Sequence, residues 1–267
     1  MKWSLILYLP AVISIVWALA IALTKRHLTN AQILFCLSLV VNAFTITVAG
    51  VYFRTQTGRL FFYDYLLELS TITCLPMYYI AICALTGPRG ATLKQRRVFL
   101  VPLLFAIGLT IGAFGIHPSR YQAMCQHVFE NGRIPWIPGD SSYNFMILWN
   151  QIVFPAVTVI MGIVLLLESG RKVRVYKERF NTCYANGLNM PKLHVREIVI
   201  VTWAFLPFIM LTIFLIVFRP YLYKYWLIFC ALLLSLIQYL TGHFAYRYDH
   251  DARFLAEYIR NKESINS

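Results

Sequence analysis

The chain has 267 residues, of which 59% are hydrophobic, 16% aromatic and only 13% charged, and its mean hydropathy is +0.63. A soluble domain of this size carries about 25% charged residues, so the composition excludes that class and indicates an integral membrane protein. The formal net charge of +13 is the second bulk property, and its cause lies in where the bases fall along the chain.

A membrane-spanning helix needs about 20 predominantly apolar residues. Seven runs qualify: Ser4 to Leu23, Ala31 to Phe53, Phe61 to Thr86, Val98 to Ile116, Phe145 to Leu167, Ile198 to Phe218, and Tyr225 or Trp226 to about Ala245. The first run lacks the short hydrophobic core and small-residue cleavage site of a signal peptide, and is expected to stay as a helix. All seven are continuous, unlike the short alternating segments of a β-barrel. The predicted fold is therefore all-α: a polytopic helical bundle with seven transmembrane helices over residues 1–245, followed by a cytoplasmic juxtamembrane helix and tail over 246–267.

The bases orient this bundle. Of the 24 Lys and Arg residues, seventeen fall on one side: Lys25 and Arg26, the Arg89 to Arg97 turn, the segment Arg171 to Arg196, and the tail from Arg247. Lys2, Arg54, Arg59, Arg120, Arg133, Arg219 and Lys224 make up the other side. The positive-inside rule then predicts an N-terminus outside and a C-terminus in the cytoplasm, with the chain in the inner membrane. The bases flank membrane helices and form no single patch, so direct nucleic-acid binding is not expected, whereas contact with anionic inner-leaflet lipid is.

The second run contributes Asn42, Thr45 and Thr47, which are expected to form hydrogen bonds between helices. The third begins FFYDYLLELS and holds Asp64 and Glu68, the only two of the eleven acidic residues inside a predicted span. Four residues apart, they share one helix face. Two placements fit the sequence. Charges in hydrocarbon are costly, so the pair faces the bundle interior or a wet cavity; or DYLLE is an interfacial extension and both acids reach water.

The fifth run brings Asn150 and Gln151, in ILWNQIVFP, to the same outer depth. Asp64, Glu68, Tyr63, Asn150 and Gln151, with Tyr65 and Arg54 or Arg59 nearby, form the candidate site for a small outer-side ligand with a cationic or hydrogen-bonding group. Pro76, Pro155 and Pro207 fall inside predicted helices and permit kinks.

Between the fourth and fifth runs lies the longest outer segment, His117 to Asn144, whose end IPWIPGDSS is a stiff turn able to cover the mouth of the bundle. It gathers His117, Cys125 and His127, but a fourth ligand is missing and no metal is expected. The six cysteines offer no external pair for a disulfide. The inner segment SGRKVRVYKERFNTCYANGLNMPKLHVRE is expected as a basic loop. In the tail, Phe254, Leu255, Tyr258 and Ile259 recur at helical spacing.

Absences narrow the chemistry. The last span has no lysine for a retinal Schiff base, His243 stands alone within the spans, and no HExxH pair or serine partner is evident. No catalytic residue or cofactor is expected, and the chain is not expected to be an enzyme. Seven spans with an outer N-terminus, short inner loops, a long outer loop and a juxtamembrane helix resemble the membrane sensor regions that precede histidine kinase or AraC-type helix-turn-helix domains in bacterial signalling proteins. The resemblance implies a sensor or receptor that binds an outer-side ligand and transmits through the last helices and the tail. Its output would come from a domain on a longer natural chain or from a cytoplasmic partner, and a homodimer is a further expected association. The alternatives are a small-solute secondary transporter and a membrane scaffold subunit.

Overall fold

The computed structural model describes residues 2–24, 28–54, 60–87, 92–117, 119–120, 122–123, 126–127, 139–185, 199–200, 202–203 and 224–247. Every element among them is helical. A 3-10 turn over Lys2–Tyr8 leads into α1 (Leu9–Thr24), followed by α2 (Asn30–Arg54), α3 (Leu60–Thr86), the single turn α4 (Leu93–Arg96), α5 (Leu100–Phe114), α6 (Ser141–Leu148), α7 (Phe154–Ala185) and α8 (Lys224–Arg247).

Six stretches are long and apolar enough to cross a membrane: Leu5–Thr24, Asn30–Tyr52, Phe62–Thr86, Lys94–Gly112, Phe154–Arg179 and Tyr225–Arg247. They correspond to six of the seven predicted spans. The run 198–218 falls almost wholly outside the described residues, as do the tail from 248 and most of the outer segment. The surface is that of a membrane protein: Val12, Leu19, Leu104, Ile111, Ile160, Leu167, Phe229 and Leu236 are exposed, while Ser38, Asn42, Asn150, Thr158 and Gln238 are buried. Apolar side chains face outward where lipid replaces water, and polar ones turn inward.

Local sequence sets several helix starts. Thr29 and Gln32 cap α2 reciprocally, the Gln32 N–H donating to Thr29 Oγ1 at 3.2 Å and the Thr29 N–H to Gln32 Oε1 at 3.0 Å. Thr92 and Gln95 repeat the device before α4. Both are capping boxes, satisfying backbone donors that a helix start leaves without intrahelical acceptors. Asp140 caps α6 by accepting from the Tyr143 N–H at 3.1 Å. Within the spans, Ser14, Thr47, Thr73, Thr86 and Ser235 return their hydroxyls to the carbonyl four residues back, which keeps these groups satisfied without a partner helix.

The bundle is organised around α3, whose span window is 83% buried against 22% for the one containing α5. It packs on α2, α5 and α7, while α1 lies between α2 and α8. Polar contacts fix α3 on three sides. Tyr65 Oη meets Thr110 Oγ1 of α5 at 2.8 Å; the Cys74 thiol donates to Asn42 Oδ1 of α2 at 2.9 Å, with Thr45 Oγ1 3.3 Å from the same sulfur; and Tyr78 Oη lies 3.4 Å from Thr241 Oγ1 of α8. Asn42 and Thr45 thus take the interhelical role expected of them, and Thr241 joins them, whereas Thr47 bonds within its own helix. Cys36, Cys74, Cys83 and Cys230 are free thiols.

One boundary differs markedly from expectation. The fifth span does not end at Leu167. Its helix continues to Ala185, so Arg171, Lys172, Arg174, Lys177 and Arg179 lie on a helix and not in a loop. The reason is visible in the side chains: Ser169, Val173 and Tyr176 continue the buried stripe of Met161 and Leu165 at helical spacing, while charged residues occupy the exposed faces. At 1.5 Å per residue, 32 residues make α7 about 48 Å long, well beyond a hydrocarbon core of about 30 Å.

Candidate functional site

Asp64 stands one turn into α3 and Glu68 one turn further. Both are buried, at 1% and 3% exposure. Of the two placements open to the sequence, the inward one is therefore observed. An interfacial position would leave the carboxylates in water, and here neighbouring helices cover them.

The partner across the seam is Asn150, itself 6% exposed, whose Nδ2 donates to Asp64 Oδ2 at 3.3 Å. Asn150 lies in an unusual piece of backbone. Trp149–Val153 form a π-helical turn between α6 and α7, and the Phe154 N–H bonds the Trp149 carbonyl, five residues back. Pro155 follows directly and has no N–H to give. The Asn150 carbonyl is thus bypassed by Phe154 and cannot be served by Pro155. Such single-turn π segments shift the register of everything that precedes them and recur at functional sites.

The turn is held from behind by α5. Side-chain carbons added at Gly108 or Gly112 would overlap Trp149, or Met146 and Phe145. These two glycines, four residues apart, create the groove that lets α6 and the π turn approach closely. The Trp149 ring packs 4.9 Å from Phe105 and 5.5 Å from Phe145, and Phe105 packs 5.8 Å from Phe154. Asn150 is therefore presented to α3 by a rigid aromatic support.

Further along α7, Thr158 is fully buried. Its Oγ1, like Asn150 Oδ1 and Ser169 Oγ, has no hydrogen-bond partner among the described residues. Helices α3 and α7 pack on one another. Above the site, Arg120 donates to Asp140 Oδ2 at 2.6 Å and draws together the two ends of the long outer segment. Burial pushes the Tyr143 phenol above its ordinary pKa, and the charge of Asp140 adds to the shift.

Three of the five predicted site residues are thus in one place: Asp64, Glu68 and Asn150. Tyr63 is half-buried and packs its ring 5.8 Å from Phe62. Gln151 belongs to the π turn, and its side chain lies outside the described residues, as do Arg54 and Arg59. Of the outer-segment ligands considered for metal, His117 donates to or accepts from Ser119 Oγ at 2.8 Å, and Cys125 lies outside the described residues. No protein-family model, characterised protein or solved structure matches the chain.

Proposed function

We propose that the chain is a seven-helix sensor of receptor type in the cytoplasmic membrane, with its N-terminus outside. In this reading it binds a small cationic or hydrogen-bonding ligand between α3 and the α6–α7 turn. The observation that carries the reading is the buried acid pair, one of which, Asp64, accepts a hydrogen bond from a side chain of a π-helical turn. Buried acids in a membrane bundle mark functional positions, because they are expensive to keep there. In this reading the π turn is the switching element, and α7 runs from it without a break into a basic extension. A ligand that favours one register rotates or slides that extension. Transmission through α7 thus joins the route through the last helices and the tail.

On the inner side, Arg171, Arg174, Lys177 and Arg179 are exposed along α7. They suit anionic lipid or an acidic output partner, with an attraction of about 1 kcal/mol per base near the surface. Self-association into a homodimer fits the same output role.

Two measurements test the reading. Reporters fused after Ser267 and inserted in the 122–131 segment should report inside and outside respectively, and the reverse pattern would remove the outer-side site. Hydrogen exchange of residues 171–185 should differ between the wild type and the charge-neutral variants Asp64→Asn and Glu68→Gln. Identical exchange in all three proteins would mean that the acids do not speak to α7. A secondary transporter is the second reading, favoured by the interrupted helix beside buried acids. Sustained current through reconstituted protein after an ion jump would select it.

A further inference from the structure

We propose that the far part of α7, from Arg174 to Thr182, is the docking face for an acidic helix of a cytoplasmic partner. The proposal rests on the receptor reading, in which α7 is an output element, and it names the chemistry of what that element meets.

The exposed side of α7 fixes the depth of this face. Ile160, Ile163, Val164 and Leu167 lie on that side, and Arg171 is the first base after them. The hydrocarbon edge therefore falls between Leu167 and Arg171. At 1.5 Å per residue, Arg171 stands about 6 Å beyond Leu167, Lys177 about 15 Å and Arg179 about 18 Å. The headgroup layer of one leaflet is about 5–8 Å thick, and the pull of anionic lipid fades within a Debye length of about 8 Å. Arg171 is thus at headgroup level, while Lys177 and Arg179 stand past it. The extension does not fold back onto the bilayer, because α7 is unbroken to Ala185, and Val173 and Tyr176 are buried in the main core and hold it there.

Charge decides the occupant. Val175, Glu178 and Thr182 recur at i, i+3 and i+7 and form one exposed stripe, with Arg174 and Lys177 on one side and Arg179 on the other. Arg171 pairs with Glu168 at 3.8 Å, whereas Arg174, Lys177 and Arg179 have no ion pair among the described residues. A second copy of this chain does not suit the face. Two copies in one membrane run parallel, and a parallel pair centred on this stripe sets Arg174 of each copy against Arg179 of the other, at the positions where coiled coils place opposite charges. A polyphosphate backbone does not suit it either, since Glu178 stands in the middle of the stripe. A helix with acids along both edges and neutral side chains between them meets the bases on both sides, spares Glu178 and covers the exposed Val175.

The test uses the full chain in nanodiscs of phosphatidylcholine. The probe is a synthetic fluorescent helical peptide with neutral residues along its centre and Glu along both edges, and its control carries Lys in their place. Anisotropy should show saturable binding of the Glu peptide and none of the Lys peptide. The double variant Arg174→Glu, Arg179→Glu should bind the Glu peptide about tenfold or more weakly and take up the Lys peptide instead. Arg171→Gln, at headgroup level, should keep the wild-type affinity. Equal affinity for the two peptides, or wild-type binding of the Glu peptide by the double variant, would overturn the proposal. Two other occupants leave their own signatures. Protection of residues 177–182 from hydrogen exchange when phosphatidylglycerol is added would give the face to the bilayer, and disulfide pairing of Glu178→Cys between copies would give it to a second chain; either result overturns the proposal. A failure here is separable from failure of the receptor reading. If Asp64→Asn and Glu68→Gln alter exchange at residues 171–185 while the Glu peptide does not bind, α7 transmits but its partner is not an acidic helix.

Discussion

The seam between α1 and α8 and the seam between α3 and α7 join helices in the same bundle by opposite means. In the first, Trp17 of α1 lies against Gly242 of α8, and its ring packs 5.6 Å from Tyr239, 5.8 Å from His243 and 5.9 Å from Tyr246. Tyr239 and His243 stack on one another in turn. Rings pack there against a bare backbone, an arrangement that gives close approach and strong dispersion without burying a carboxylate. The second seam buries two acids and an amide, and passes through a backbone turn that departs from the α-helix. Water or lipid cannot reach these groups, so each must be served from within. An interface built only for stability has no need of such groups, and the α1–α8 seam shows that this chain makes the simpler kind where nothing else is required.

The sharpest way to break the comparison is to damage the stable seam. A side chain at Gly242 would overlap Trp17 at its Cβ, Cγ and Cδ1, the stiff root of that side chain and not a flexible end. Gly242→Leu should therefore destabilise by more than the about 1–3 kcal/mol typical of overpacking, with the largest fall in melting temperature and in yield of folded protein. Hydrogen exchange at residues 171–185 should change only in step with global unfolding. A selective change at α7 would show that the two seams are not separate in role.

A smaller effect is expected at the polar seam. Asn150→Leu removes the donor to Asp64 and leaves a buried acid with one contact fewer. A hydrogen bond to a charged group contributes about 1.5–3 kcal/mol in water-soluble proteins, and membrane bundles return less, near 0.6 and at most about 1.7 kcal/mol. A loss of about 1 kcal/mol is the expectation, read by thermal unfolding in detergent. In a double-mutant cycle with Asp64→Ala the two losses should not add, because both remove the same contact. Additive losses would mean that the 3.3 Å bond contributes nothing on its own.

Much of this seam was legible in the sequence, and the reasons are specific. Asp64 and Glu68 are conspicuous because acids are rare in apolar runs, and their spacing of four puts them on one face whatever surrounds them. Asn150 could be placed opposite them by counting turns from the outer ends of two spans. Whether the acids faced inward was not legible, since a helix end two turns longer or shorter moves them from core to interface, and only the neighbours α2, α5 and α7 decide. The π turn was hidden as well: Pro155 announces a missing donor, but whether the chain answers with a kink or with an extra residue per turn depends on the Gly108 and Gly112 groove against which Trp149 seats. The extension of α7 was overlooked for a different reason. Hydropathy falls sharply at Glu168, yet Ser169, Val173 and Tyr176 keep the helical period, and that weaker signal was masked by the density of charge.

The smallest predicted effect provides the control for the comparison. Tyr65 and Thr110 also join α3 to a neighbour by a polar contact, at 2.8 Å, but in regular helix and without a buried charge. Thr110 already returns its hydroxyl to the Ala106 carbonyl, so removing that hydroxyl leaves only the Tyr65 phenol to find another partner. Thr110→Val preserves the volume and the branching, and should cost about 0.6 kcal/mol, the mean for a hydrogen bond between membrane helices. Exchange at residues 171–185 should stay as in the wild type. If this variant disturbs α7 as much as Asn150→Leu does, the response belongs to any loosening of α3, and the acids and the π turn lose their special place. If α7 responds only at Asn150, Asp64 and Glu68, the polar seam is coupled to the basic extension through the turn itself, since the Thr110 contact touches the same helix at nearly the same depth.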